Sequence, residues 1–378
     1  MSAESACPIF RIWEHPTPPQ DVVRIGDHWL VNRRALIKKI LVDAETYSPI
    51  NALDAVRRID KKALRILAKH QFRLPPTLAN NATPSHPVLR GVMGSALHPA
   101  KVEAQRPWLT GLVRRRVSRL MPALRSGAQA DIYAELARDI PLLVLGRLME
   151  LPEHDIAVTK EFSVAALELF WGDTDVERQC ELATIVGPHH ARLRAFVRSG
   201  VGWIAELRRH ASEDKVVAAL FFLLVAGQET TSQFLGSLLH RLVGEQHALI
   251  ASPVDIVEEG LRLEAPIVSW RRLTTRPVEL GGVSVPSGAS LVLNLFEAGR
   301  DGMTSQFRPG QPGSRQHLAF GAGVHRCLGA SLSRMEAQVM VAELAPLLRR
   351  VRVVRGPTYP DNMSFRMPDA LVVSARIP

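Results

Sequence analysis

The chain has 378 residues and a mass of 41.7 kDa, with 46% hydrophobic and 22% charged residues, 25 glycines and 26 prolines. Such a composition excludes long disordered, collagen-like or coiled-coil architectures, and folding at this length buries roughly three quarters of the surface without a disulfide or metal staple. Lys and Arg (47) outnumber Asp and Glu (37), giving a net charge of +10 and a pI near 10.0; a nucleic acid, an anionic surface or an acidic protein partner would each suit that charge, which does not choose among them.

Cys7, Cys180 and Cys327 are the three cysteines. An odd, low count, with residues 1–11 too polar for a secretory segment, predicts a reducing, cytoplasmic setting. The longest apolar run, 216–226, is well short of the ~20 residues that span a bilayer, so no membrane association is expected.

In chain order, the first fifty residues are short, Pro-punctuated and partly strand-like at 22–25 and 29–31. From Asp131 to about His247 the pattern is mainly helical: Ile132, Leu136 and Ile140 share one face, and Gly187-Pro188 is predicted to break the run. Ser212 is placed to cap the next helix, with Glu213 and Asp214 in its first turn. That helix carries Phe221-Phe-Leu-Leu-Val-Ala-Gly227, apolar nearly all round, which predicts a central buried helix. Another helix is expected over 253–263, ending before Pro266. The period then changes: 278–285 and 290–295 read as strands joined at Pro286-Ser-Gly288, an irregular stretch covers 299–313, a long helix covers about 328–348, and the tail is strand-like at 351–354 and 371–374. The sum is mainly α with a smaller β portion, without βαβ alternation, and without a linker that would divide residues 1–378 into separate domains.

The cysteine with informative surroundings is Cys327, in Phe320-Gly-Ala-Gly-Val-His-Arg-Cys-Leu-Gly329. Gly321, Gly323 and Gly329 permit positive φ and close approach of a flat surface. A thiol just before a helix and beside Arg326 is expected to have its pKa lowered below the unperturbed ~8.5. A thiolate beneath a planar ligand is what axial haem ligation requires. The decad resembles the haem-binding loop of the cytochrome P450 family, F-x-x-G-x-x-x-C-x-G, at every fixed position. Cys7 and Cys180 lack such surroundings and read as inert.

A second segment, Ala226-Gly-Gln-Glu-Thr-Thr231, puts a carboxylate and hydroxyls into an apolar helix, where unpartnered burial costs several kcal/mol; a solvated face on the emerging helix is the plainer alternative. It is similar to the family's distal helix, A-G-x-E/D-T-T. By that resemblance Glu229 and Thr230 are the catalytic acid and alcohol that relay protons, and Ala226 and Gly227 leave room above the haem. The role of Thr231 stays open.

The family's E-x-x-R pattern occurs five times, at Glu103/Arg106, Glu135/Arg138, Glu206/Arg209, Glu259/Arg262 and Glu297/Arg300. The bare pattern is therefore uninformative. Order leaves the last two pairs, and only Glu259/Arg262 lies on a helix ended by a proline, where it is expected to clamp the haem-loop region; Glu297/Arg300 reads as a loop pair. For the haem propionates the resemblance implies His86 and Arg90, with His190/Arg194 sharing their spacing, then Arg272, with Arg271 as competitor, and His325. Pro87 departs from the family's usual residues, and the 300–318 stretch is trimmed.

The resemblance covers essentially the whole chain, and 131–155 is similar to a helix pair of the bacterial, soluble members. It implies the cytochrome P450 fold, with haem b (iron protoporphyrin IX) between the distal helix and the cysteine loop. Cys327 is then the metal ligand, and Phe320, Gly321 and Gly329 also contact the cofactor. The implied activity is a monomeric, cytoplasmic monooxygenase that takes two electrons from a separate ferredoxin-type donor and its reductase and above all hydroxylates a small hydrophobic substrate. An acidic donor would suit Arg115, Arg326 and Arg334. The substrate pocket is expected from residues 53–81, 164–171, 222–230, 267–270 and 363–365, with Trp270 and Phe365 as its ceiling. A peroxide-driven oxygenase is the alternative within the fold; a basic helical nucleic-acid-binding or interaction protein is the alternative from another class.

Overall fold

The computed structural model describes residues 9–150, 156–200 and 202–376. Cys7 lies outside them, as do residues 151–155 at the end of the expected helix pair. The N-terminal strands Val22–Ile25 and His28–Val31 form an antiparallel pair. They join a five-stranded sheet in which His28–Val31 runs parallel to Ser290–Asn294, Ser290–Asn294 pairs antiparallel with Ser269–Thr274, and Tyr47–Ser48 closes the edge. A three-stranded sheet joins Ala130–Asp131, Val372–Ala375 and Val351–Arg355.

The β arrangement around residues 278–295 differs from the sequence expectation. Val278–Leu280 and Val283–Val285 make their own hairpin, turning at Gly281 and Gly282 with φ of 57° and 78°. The positive φ at both turn positions matches the twist of a tight hairpin. Ser290–Asn294 instead crosses to the middle of the five-stranded sheet, beside Ser269–Thr274, the segment of Arg271 and Arg272, whose strand character was not among the expected elements.

The helical part is built around Glu213–Ala226 and Glu229–Gly244. Together, Glu213–Gly244 is long and apolar enough to cross a membrane by composition, but 78% of its most apolar window is buried within the protein. Apolar residues all round this helix therefore meet protein on every side. Ser212 occupies the N-cap position without a side-chain capping bond. Ile132, Leu136 and Ile140 are fully buried, around a short π-helical turn at Tyr133–Ala137.

Gly187-Pro188 does not break the chain: Val176–Ser199 is one helix with Pro188 inside it. Helices Lys61–Ala68 and Ile156–Trp171 both pack on it, and tertiary packing offsets the backbone bond that proline removes. Gly187 serves close approach instead, since a Cβ there would lie 2.6 Å from the His70 ring.

The predicted clamp forms on helix Pro253–Leu263. Glu259 and Arg262 are buried and paired at 2.7 Å. The Glu259 carboxylate also accepts from the Arg308 amide (2.9 Å), Gln311 Nε2 (2.6 Å) and Ser314 Oγ (2.8 Å), while Arg262 donates to the Gly299 carbonyl at 2.9 Å. Burial pushes the Glu259 carboxyl up, but the bonds from Arg262, the Arg308 amide and Ser314 outweigh it and hold the group below its usual range. Glu297 and Arg300 do not pair with each other. Glu297 accepts from Thr17 Oγ1, and Arg300 donates to the carbonyls of Phe296 and Leu263. Both begin near the short helix Leu295–Ala298, whose ends send the two side chains to different neighbours.

Removing one partner of a buried ion pair leaves an uncompensated charge, so Arg262→Ala is expected to cost about 3–5 kcal/mol in equilibrium unfolding; a loss under 1 kcal/mol would show that the loop holds without the clamp. Glu336, on helix Ala330–Leu348, is fully buried with no hydrogen-bond partner among the described residues, and burial pushes its carboxyl well above the usual range. A raised folded-state value means the folded protein binds the extra proton, so stability falls as pH rises above the unfolded carboxyl value near 4.5. Glu336→Gln is expected to be more stable than wild type in urea unfolding at pH 8, with a smaller gap at pH 5. Equal or lower stability of the variant at pH 8 would overturn that account.

Candidate active site: a cysteine-floored cavity

Cys327 lies three residues before helix Ala330–Leu348, in a loop with little regular structure. Its backbone N–H donates to the Phe320 carbonyl at 2.9 Å, closing the loop into a ring. The loop packs tightly on its outer side: at Gly323, φ is 71° and a Cβ would sit 2.5 Å from the Leu41 carbonyl oxygen. Cys327 lines a cavity that leaves about 1390 Å³ of atom-free space, part of it open to solvent. Phe320, Gly321, His325 and Gly329 line it with the cysteine, and Ala226, Gly227, Thr230 and Thr231 face them from the central helices.

The expected lowering of the thiol pKa is not seen. Cys327 is exposed to the cavity, yet desolvation by the protein around it pushes the thiol up, and the Gly329 backbone bond with the fields of Arg90, Arg334 and Arg326 offsets this only in part. The sulfur stands before the helix rather than within its first turn, where the dipole acts. A metal deprotonates a thiol that coordinates it, and these three arginines are placed to favour the resulting charge.

Across the cavity the long central helix is interrupted at Gly227-Gln228. A Cβ on Gly227 would lie 2.5 Å from the Leu223 carbonyl oxygen and 3.1 Å from Leu145. Thr230 Oγ1 donates to the Ala226 carbonyl at 2.8 Å, capping the broken turn. Thr230 and Glu229 are adjacent but go to different places. Glu229 does not line the cavity; its buried carboxylate pairs with Lys160 Nζ at 2.9 Å and accepts from Ser163 Oγ and Gln228 Nε2, each at 2.8 Å. Lys160 also donates to Gln228 Oε1 and Ser232 Oγ, and burial pushes its ammonium below the ordinary value. The buried acid thus has a network, which excludes the solvated-face alternative. The sequence reading missed Lys160 and Ser163: nothing in Thr159-Lys-Glu161 marks Lys160 as buried and Glu161 as exposed.

Three groups, Arg90, Arg272 and His325, meet at one edge of the cavity, and His86 packs against His325 just outside the lining. Strand alternation puts Trp270 and Arg272 on the cavity side of Ser269–Thr274 and sends Arg271 the other way, to the Asp54 carbonyl. Arg272 is therefore the arginine at the cavity. Its guanidinium donates to the Arg271 carbonyl, its Nε has no partner among the described residues, and burial lowers its pKa to about 10. Arg90 also lines the cavity and donates to the Arg326 carbonyl. His86, one turn before Arg90, packs against His325 with ring centroids 4.5 Å apart and planes tilted by 50°, and its Nε2 has no partner among the described residues. Burial lowers His325 to about 4, while its Nδ1 meets the Leu78 carbonyl. Pro87 falls in the first turn of helix Ser85–Ala96, where a missing N–H is tolerated. His190 and Arg194 lie elsewhere, against Phe72 and Glu213.

Two expectations need correction. Arg334 is not free to meet a partner, because it is bound to Glu258. Of the expected substrate segments, residues 164–171 and 363–365 do not line the cavity. Phe170 packs with Phe72 and Phe221, and Phe365 packs edge-on against Trp171 and Trp270, so these aromatics fill the space behind the wall. Trp270 does line it, with Leu78, Leu145, Phe222 and Ile267.

A buried arginine, Arg272, a half-buried one, Arg90, and the His86–His325 pair, without a carboxylate partner among the described residues, form an edge that calls for a dianionic ligand. An apolar interior with a sulfur opposite Gly227 completes a site that fits haem and its two propionates.

The comparisons agree with this geometry. The family model for cytochrome P450 matches residues 254–373. Cytochrome P450 107B1 of Saccharopolyspora erythraea is 27% identical over 94% of this chain and 90% of its own length. Erythromycin C-12 hydroxylase of the same organism is 28% identical over 92% and 87%. The structure of cytochrome P450 CREJ in complex with (4-ethylphenyl) dihydrogen phosphate superposes with a TM-score of 0.89 at 26% identity, covering 95% of this chain and 94% of that one. The Tepidiphilus thermophilus P450 heme domain gives 0.84 at 27% identity, covering 94% and 90%. With this fold, the cysteine loop and a cationic cavity edge in one chain, the family match, the relatives and the solved structures together support a bacterial cytochrome P450, a monooxygenase that binds haem b.

Proposed function

We propose that this enzyme oxidises a small hydrophobic organic molecule, chiefly by hydroxylation, using dioxygen and two electrons delivered singly by a separate ferredoxin-type protein and its reductase. The observation that carries this reading is the apolar cavity with Cys327 on one wall, Thr230 on the other and, at its edge, Arg90 and Arg272 without a carboxylate partner among the described residues. A haem held by a cysteine thiolate supplies the electron density that favours O–O cleavage. Cys327 would be its ligand, Arg90, Arg272, His86 and His325 would bind its carboxylates, and Ala226, Gly227, Phe320, Gly321 and Gly329 would leave its faces clear.

Thr230 holds a proton at Oγ1 inside the cavity, and while it donates to the Ala226 carbonyl its oxygen can still accept a hydrogen bond from another group. Glu229, one residue away, is the acid that replenishes it; reaching the cavity requires release from Lys160, which keeps the route closed at rest. The lining by Phe222, Trp270, Leu145 and Ile267 favours an apolar substrate and excludes bulk water. Relatives named as a hydroxylase and an epoxidase support oxygen insertion into a secondary metabolite. Exposed Arg115 and Arg326, in a chain of net charge +10, suit an acidic electron donor.

Reduced, CO-treated protein is expected to show a strongly red-shifted Soret band that Cys327→Ala abolishes; an unchanged band in the variant would sink the reading. Arg272→Leu is expected to weaken haem retention by on the order of 10- to 100-fold in an apomyoglobin-transfer assay, the worth of one or two charge-assisted hydrogen bonds. Thr230→Ala and Glu229→Gln are each expected to lower product formed per electron consumed, with kcat falling on the order of 100-fold. Substrate-induced spectral shifts should persist in both. Unaltered coupling in either variant would remove that residue from the proton route.

A further inference from the structure

Glu258 precedes the clamp residue Glu259 on helix Pro253–Leu263 but points into a different set of contacts. Its buried carboxylate receives both ends of the Arg334 guanidinium, Nε at 2.5 Å and Nη2 at 3.2 Å, and meets His317 Nε2 at 3.3 Å. His317 Nδ1 accepts the Ala319 amide at 3.2 Å, so the ring carries its proton on Nε2 and donates it to Glu258. Arg334 in turn lies over the Phe320 ring, 4.5 Å from its centroid. Phe320 is thereby gripped on its ring by Arg334 and just before its backbone by His317 through Ala319. The Phe320 carbonyl is the group that accepts the Cys327 amide.

We infer that Glu258 is a positioning residue for Cys327: acting through Arg334 and His317 it fixes Phe320, and with it the backbone that carries the sulfur. The inference rests on the reading of Cys327 as the haem ligand. Both ties are local and directional. The two-point guanidinium–carboxylate contact fixes a plane, and that plane lies on the aromatic face. A lysine at position 334 would keep the positive charge near the sulfur but lose both the two-point contact and the flat cover over Phe320. This separates positioning from a plain electrostatic effect.

The experiment uses the haem-loaded full chain. The red-shifted Soret band of the reduced, CO-bound protein is followed in time as it converts to the short-wavelength form that marks loss of the thiolate. Glu258→Gln, Arg334→Lys and Arg334→Ala are each expected to speed conversion about tenfold. The double variant Glu258→Gln/Arg334→Ala is expected to be no faster than either single one. His317→Phe, which leaves the Glu258–Arg334 contact intact, is expected to give an intermediate, roughly threefold, effect and serves if the Glu258 variant does not fold. Conversion at the wild-type rate in Arg334→Lys would mean that charge alone matters and would overturn the inference, as would additive effects in the double variant. A wild-type protein with no red-shifted band would instead overturn the haem-ligand reading on which the inference stands.

Discussion

The long loop that presents the cysteine has almost no regular structure, and its order comes from side-chain bonds to one helix. Pro253–Leu263 projects two adjacent glutamates into it. Glu259, neutralised by Arg262, gathers the backbone and side chains of residues 308–314. Glu258 reaches His317 and Arg334 on either side of Phe320. Neighbouring helical positions point about 100° apart, so two consecutive acids can serve two separate parts of one loop. Both carboxylates are buried and stay ionised only because each has several donors; Glu258 is held down to about 2 by His317 and Arg334 against the opposing pull of burial. Such pairs add little net stability over apolar packing, but they specify one arrangement and make its partial loss costly.

The opposite wall follows a different logic. A helix packed with apolar residues is opened for one turn at Gly227-Gln228, and the backbone groups so released are taken up locally, the Ala226 carbonyl by Thr230. The same break divides two polar faces. Thr230 faces the cavity, whereas Gln228 and Glu229 turn towards Lys160 and Ser163 in the dry interior. The enzyme thus keeps an acid close to its reaction chamber without exposing the chamber to it. The third element is the edge where Arg90, Arg272 and His325 line the cavity with His86 beside them, none of them paired with a carboxylate among the described residues. Burial lowers the pKa of all four, so removal from water disfavours their charged forms.

Much of this was legible in the chain. The ten-residue cysteine loop, the polar interruption in an apolar helix and the proline-terminated helix carrying Glu259 and Arg262 are local patterns, and each keeps its meaning in the fold. Arg272 and Arg271 could not be separated until strand alternation assigned them to opposite sides. Gly187-Pro188 misled because its local propensity favours a break, whereas the helices packed on either side hold that segment helical.

Sequence alone determined the chemistry available: a cysteine set among glycines, an acid beside an alcohol, and cations in the order the family uses them. These depend on residue type and short spacing. Tertiary structure alone decided which group faces which space. Glu229 was expected at the cavity and lies in an ion pair with Lys160, 69 residues earlier; Arg334 was expected at the surface and lies between Glu258 and Phe320. Residues 164–171 and 363–365 were expected to line the pocket and pack behind it. Those outcomes turn on contacts between segments far apart in the chain, where the cost of burying a charge is offset only by a partner that local spacing does not reveal.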